Sequence, residues 1–153
     1  MDSLVNIPKV ISTKQNYYVD CHGADAYSLG LGFMQAIKMC ISKNLSMLLF
    51  AVNEKDNLKT PLMDSVFGLI LAKLYKTGVV KINMDNKEID LVLFSSSEAP
   101  IYWHSVILAI HIEPELMNVI DAYPTNQGIV FVPWIKDDNL DWINRNNAIK
   151  IKS

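Results

Sequence analysis

Arginine is nearly missing from this chain. Arg145 is the only one among 14 basic residues, and the rest are lysines. The planar guanidinium fork is the usual reader of phosphates and base edges, so its scarcity argues against a site built around several phosphates. No basic stripe compensates, because the formal net charge is −2 and the lysines are scattered. Nucleic acid is therefore set aside as a partner. Cysteine is equally scarce. Cys21 and Cys40 are too few for a disulfide framework. No Cys-x2-Cys or His-x3-His pair offers metal-ligand spacing, and no metal is expected. The Gly-x-Ser-x-Gly elbow of serine hydrolases is absent. Gly30-Leu31-Gly32-Phe33 lacks the third glycine of a dinucleotide loop and falls well after the nearest strand. The longest apolar run, Ile101 to Ile112, is interrupted by His104, Ser105 and His111 and falls short of the ~20 residues of a membrane span. Met1 to Pro8 has neither a basic start nor a long apolar core, so no signal peptide is expected. With reduced thiols and no membrane segment, the expected location is the cytoplasm.

What is present is a globular balance. Half of the 153 residues are apolar and a fifth are charged, which suits one α/β domain spanning residues 1–153. Four times, a short apolar run rich in β-branched and aromatic residues stops at a polar cluster. Tyr17 to Val19 runs into Asp20-Cys21-His22-Gly23-Ala24-Asp25, Met47 to Val52 into Asn53-Glu54-Lys55-Asp56, Leu91 to Phe94 into Ser95-Ser96-Ser97-Glu98, and Ile129 to Val132 into Pro133-Trp134 and Asp137-Asp138. The runs do not alternate cleanly with polar residues, as expected of central strands covered on both faces. In such sheets ligands bind outside the carboxyl ends of the strands.

Between the strands lie helix-length segments. Ala24 to Lys43 has an apolar face at three-and-four spacing, and Gly30 with Gly32 points to a close approach to a strand. Pro61 to Lys76 reads as one helix, capped by Thr60, opened by Pro61 and stopped at Gly78. It is apolar on more sides than one sheet face can cover, which suggests a homodimer. Val79 to Met84 and Glu88 to Phe94 flank Asp85-Asn86-Lys87 as a β-hairpin over residues 79–94. Ala99 to Ile110 reads as a helix, with Ser97 or Glu98 near its start, although its Ile, Val, Tyr and Trp content also suits a strand. Pro114 to Tyr123 and Asp137 to Asn146 read as helices, Ala148 to Ile151 as a closing strand, and Pro8 to Ser12 as one arm of an opening hairpin. The predicted fold is a three-layer α/β/α sandwich with a mixed, mostly parallel sheet and that one hairpin.

Several constellations invite chemistry. In Asp20 to Asp25, His22 could serve as general base, Cys21 as nucleophile, and Asp20 or Asp25 as the group orienting the imidazole. The same residues also make an ordinary strand-to-helix turn, with Gly23 supplying unusual backbone angles and Asp25 placed at a helix start. Ser95 and Ser96 could hold a ligand at a strand end, yet serine followed by glutamate is also a common capping signal. His104 and His111 would share a helix face with Glu113 or Glu115 nearby, but seven residues is about 10 Å along a helix axis, and neither is expected to bind metal. Trp134, just past a strand end and before Asp137-Asp138, is hard to bury and is the strongest single contact residue.

The site is thus expected where the strand ends after Val19, Phe94 and Val132 meet, lined by Asp20, His22, Asp25, Ser95, Ser96 and Trp134. The leading functional reading is a module that binds a small molecule or a protein without chemistry of its own. The alternative is a small hydrolase-like enzyme centred on Asp20, Cys21, His22 and Asp25. No cofactor follows from either. Both depend on strand direction, because a reversed strand would carry the Ser95 cluster to the opposite edge.

Overall fold

A computed structural model describes residues 14–20, 24–96 and 104–151. In chain order the elements are β1 (Tyr17–Val19), α1 (Ala26–Ser42), β2 (Met47–Ala51), a 3-10 turn (Lys55–Lys59), α2 (Pro61–Phe67), α3 (Leu69–Thr77), β3 (Val79–Met84), β4 (Lys87–Phe94), β5 (Ser105–Ile110), α4 (Pro114–Asp121), β6 (Asn126–Val132), α5 (Leu140–Arg145) and β7 (Ile149–Ile151). The strands form one seven-stranded sheet in the order β3-β4-β2-β5-β6-β1-β7. All pairings are parallel except that of β3 with β4. This is the predicted mixed, mostly parallel α/β sheet with its hairpin, and β1, β2, β4 and β6 are all interior strands.

The apolar runs are continuous because consecutive residues serve opposite faces. On β2, Leu48 and Phe50 join one core with Leu108 of β5, Val130 of β6 and the buried sides of α1, α2 and α3. Leu49 and Ala51 join a second core with Ile107, Phe131, Met117 and Ile120 of α4, and Trp142 of α5. Helices thus lie on both faces. Among the described residues, no helix is long and apolar enough to cross a membrane.

Local signals explain most element ends. Asp25 accepts from Ser28 N at 2.7 Å as the N-cap of α1, and Thr60 accepts from Met63 N at 3.2 Å ahead of Pro61. Asp85 and Asn86 both have positive φ, as a tight hairpin turn requires. A Cβ at Gly32 would collide with Val132 Cγ2, so α1 lies directly on β6, whereas one at Gly30 would meet nothing.

Two sequence expectations are corrected. The segment read as a helix from Ala99 to Ile110 is strand over Ser105–Ile110, and residues 97–103 lie outside the described residues. All six residues of β5 are buried between two parallel neighbours, and that environment rewards Val, Ile and Leu on both faces. The single helix expected from Pro61 to Lys76 breaks at Gly68, whose φ of 57° and ψ of −132° no helix accommodates. The break lets Met63 and Phe67 of α2 and Leu71 and Leu74 of α3 all turn inward, leaving Leu69 as the largely exposed apolar side chain. The proposed arm Pro8 to Ser12 falls outside the described residues. Tyr17–Val19 pairs in parallel with β6 and β7.

Candidate functional site

A crevice opens in a parallel sheet where neighbouring strands send their connections to opposite faces. Two places meet that condition among the described residues. β1 leads into α1 on the first face, while its neighbour β6 leads to α5 on the second. Likewise β2 leads into the 3-10 turn and α2 on the first face, while its neighbour β5 leads to α4 on the second. At the second of these lies a crevice of about 620 Å³, lined among others by Asn53, Thr60, His111, Glu113, Trp134 and Asp138. That volume suits a small organic molecule.

Asn53 holds the strand ends in place. Its Nδ2 donates to His111 O at 3.1 Å and its Oδ1 accepts from Glu113 N at 2.9 Å. Its own carbonyl accepts from Ser96 N at 3.1 Å. One residue after β2 therefore ties the ends of β4 and β5 to it. The loop after β6 is ordered in the same manner. Asp138 Oδ2 accepts from Trp134 N at 3.0 Å and Ile135 N at 3.2 Å, and Asn139 Nδ2 donates to Ile112 O at 2.9 Å. The walls on both sides are thus pinned by side chains that satisfy loop backbone.

His111 sits at the centre of this arrangement. It follows β5, its N–H donates to Val132 O at 2.9 Å, and its φ is 53°, a left-handed conformation that non-glycine residues rarely adopt. Such backbone concentrates at functional sites. The ring meets Trp134 edge-on, with centroids 4.8 Å apart and planes at 77°. Nε2 has no solvent contact and no hydrogen-bond partner among the described residues. Burial pushes the imidazole pKa down to about 4 against the opposing pull of the Asp138 carboxylate, so the ring is neutral at pH 7. Trp134 stays 54% exposed on the rim.

The residues singled out from sequence are distributed differently. β4 runs parallel to β2, and β3 is the reversed arm of the hairpin, so the Ser95 cluster emerges at the same sheet edge as Asp20. Three strands intervene, however, and four inter-strand steps span roughly 19 Å. One small pocket does not receive both. Asp20 ends β1, where its carboxylate lies 3.9 Å from Lys150 Nζ with both side chains about half exposed. Asp25 is occupied in capping α1. Ser95 is buried, and Ser96 is exposed. Cys21 and His22 lie outside the described residues. Of the described members of that set, only Trp134 lines the crevice.

His104 and His111 flank β5 at opposite ends, separated by roughly 23 Å of extended chain. His104 Nδ1 instead lies 3.0 Å from Gln127 Nε2. Reading this stretch as a helix is what hid His111. Its position directly after an apolar run is the same signal that drew attention to Trp134, and Asn53 likewise stands first after the run Met47 to Val52. No protein-family model, curated protein or solved structure matches the chain.

Proposed function

We propose that the protein is a binding module whose ligand is a small molecule held in the crevice between β2, β5 and the loop after β6. The observation that carries this reading is a ligand-sized crevice at a point of diverging strand connections, with a half-exposed Trp134 on its rim and walls already braced by Asn53 and Asp138. Preformed pockets of this kind combine an apolar lining with a few fixed polar groups. Binding is favoured over catalysis by the state of His111. A general base works best with a pKa near the working pH, and an imidazole at about 4 is a weak base at neutrality.

The test is a fragment screen read by amide and indole chemical shifts, run in parallel on the native chain and on Trp134→Leu. The Trp134 backbone N–H, not its side chain, makes the bond to Asp138, so this variant should fold. The expected result is a set of fragments that move the signals of Asn53, His111, Glu113 and the Trp134 indole, and bind more weakly to Trp134→Leu. Fragments whose shifts map elsewhere, or bind Trp134→Leu unchanged, would overturn the reading.

A further inference from the structure

Resting on the crevice as the binding site, we infer that its ligand is an organic cation: an aromatic or aliphatic body carrying an ammonium-type head that donates hydrogen bonds. The argument is an inventory of donors and acceptors. An anion would need backbone N–H groups or cationic side chains. Around the crevice several backbone donors are already taken by the protein's own oxygens. Met63 N is bonded to Thr60 Oγ1, Glu113 N to Asn53 Oδ1, and Trp134 N and Ile135 N to Asp138 Oδ2. His111 N is bonded to Val132 O.

Cations are no better represented. Among the described residues, neither lysine nor arginine lines the crevice. Lys55 and Lys59 lie instead over the Tyr75 ring, at 4.6 and 4.0 Å from its centroid. Arg145 is paired with Asp141 at 2.9 Å on α5. The His111 imidazole is neutral at pH 7 and adds no positive charge. The two charged residues that do line the crevice among the described residues, Glu113 and Asp138, are both acidic. Asp138 Oδ2 carries two bonds, whereas its Oδ1 and the Glu113 carboxylate accept none among the described residues. The exposed indole of Trp134 completes the set, since a ring face attracts cations. Among the described residues the site therefore offers acceptors, negative charge and a π surface, and its uncommitted side-chain amide donor is Asn57 Nδ2, whose Oδ1 is occupied by Glu54 N.

The experiment uses three probes of one size that differ in the head group: benzylamine, protonated at neutral pH, benzyl alcohol and benzoate. Each is titrated at low ionic strength against the native chain, Glu113→Gln and Trp134→Leu, with chemical shifts as readout. Glu113→Gln leaves the backbone bond to Asn53 intact, and circular dichroism checks the fold of both variants. Benzylamine should bind about tenfold more tightly than benzyl alcohol, the scale of one partly screened ion pair plus a cation–π contact, and more tightly again than benzoate. That preference should shrink severalfold in Glu113→Gln and in added salt. If benzyl alcohol or benzoate binds the crevice as well as benzylamine does, the cation assignment is wrong and the crevice stands. If none of the three moves crevice signals at millimolar concentration, both readings fall.

Discussion

Among the described residues, the carboxyl edge of the sheet has two points where neighbouring connections part, and they have been used differently. At β1 and β6 the described residues are engaged in structure. Asp25 caps α1, Asp20 lies near Lys150, and Gly32 brings α1 down onto Val132 of β6. At β2 and β5 the chain does not descend onto the sheet at once. A polar 3-10 turn precedes α2, and Asn53 ties the ends of three strands together beside the crevice. The same topology thus supplies two points of divergence, and the described residues at each are used differently. At the first a helix packs close on a glycine, whereas at the second a side-chain brace between loops borders the crevice.

The largest test concerns the sheet that carries both points. Phe131 of β6 is fully buried and packs edge-on against Trp142 at 6.1 Å. Phe131→Ala should cost about 3–5 kcal/mol in denaturant unfolding. A loss below about 0.5 kcal/mol would mean that the sheet is not a rigid base for either opening.

The next test asks whether close packing really distinguishes the β1–β6 end. Gly32→Ala should destabilise by about 2–3 kcal/mol, because its Cβ meets a stiff, β-branched Val132. Gly30→Ala, in the same helix with nothing nearby, should stabilise by up to about 1 kcal/mol. Equal effects in thermal melts would erase the contrast between these neighbours.

A smaller effect separates the brace from the cap. Asn53→Ala removes two hydrogen bonds and leaves His111 O and Glu113 N unpaired, at a cost of about 2 kcal/mol. Asp25→Ala should cost about 1 kcal/mol, as loss of a helix cap does. Only the first should shift the indole signal of Trp134. If the two variants lose the same stability and neither disturbs Trp134, the brace has been misread.

The smallest effect is one of pH. His111 titrates near 4 when folded, below the ordinary value of 6.5. Between those values the unfolded chain binds more protons, so stability falls as pH drops from about 6.5 to about 4, and no contribution is lost above that window. The ring is only partly enclosed, which keeps the expected loss to about 1 kcal/mol. His111→Asn tolerates the positive φ and should flatten this slope. An unchanged slope would assign the pH dependence to other groups.

Much of the architecture was legible because it rests on neighbours in sequence. Thr60 before Pro61 specifies a helix start, Asp85-Asn86 a tight turn, and Gly78 a helix end, since each acts through backbone angles and hydrogen bonds a few residues away. Continuous apolar runs at Leu48, Leu91 and Phe131 identified strands buried on both faces. The site was only partly legible. Trp134 stood out as an aromatic past a strand end, while His111 was masked by a segment whose composition suits helix or strand. Its true state depends on β2 and β6 lying on either side of β5.

The sequence by itself determined where the chain turns, which runs are buried, and that the loops following parallel strands would be polar. Only the tertiary structure decided the order of those strands. That order places β4 and β1 at one edge yet three strands apart, brings Asn53, His111 and Trp134 together, and gives Gly68 its break between α2 and α3. The physical reason is range. Caps and turns are set by bonds spanning a few residues, whereas strand order is set by burying whole faces of helix and sheet against one another, and no short stretch of sequence carries that information.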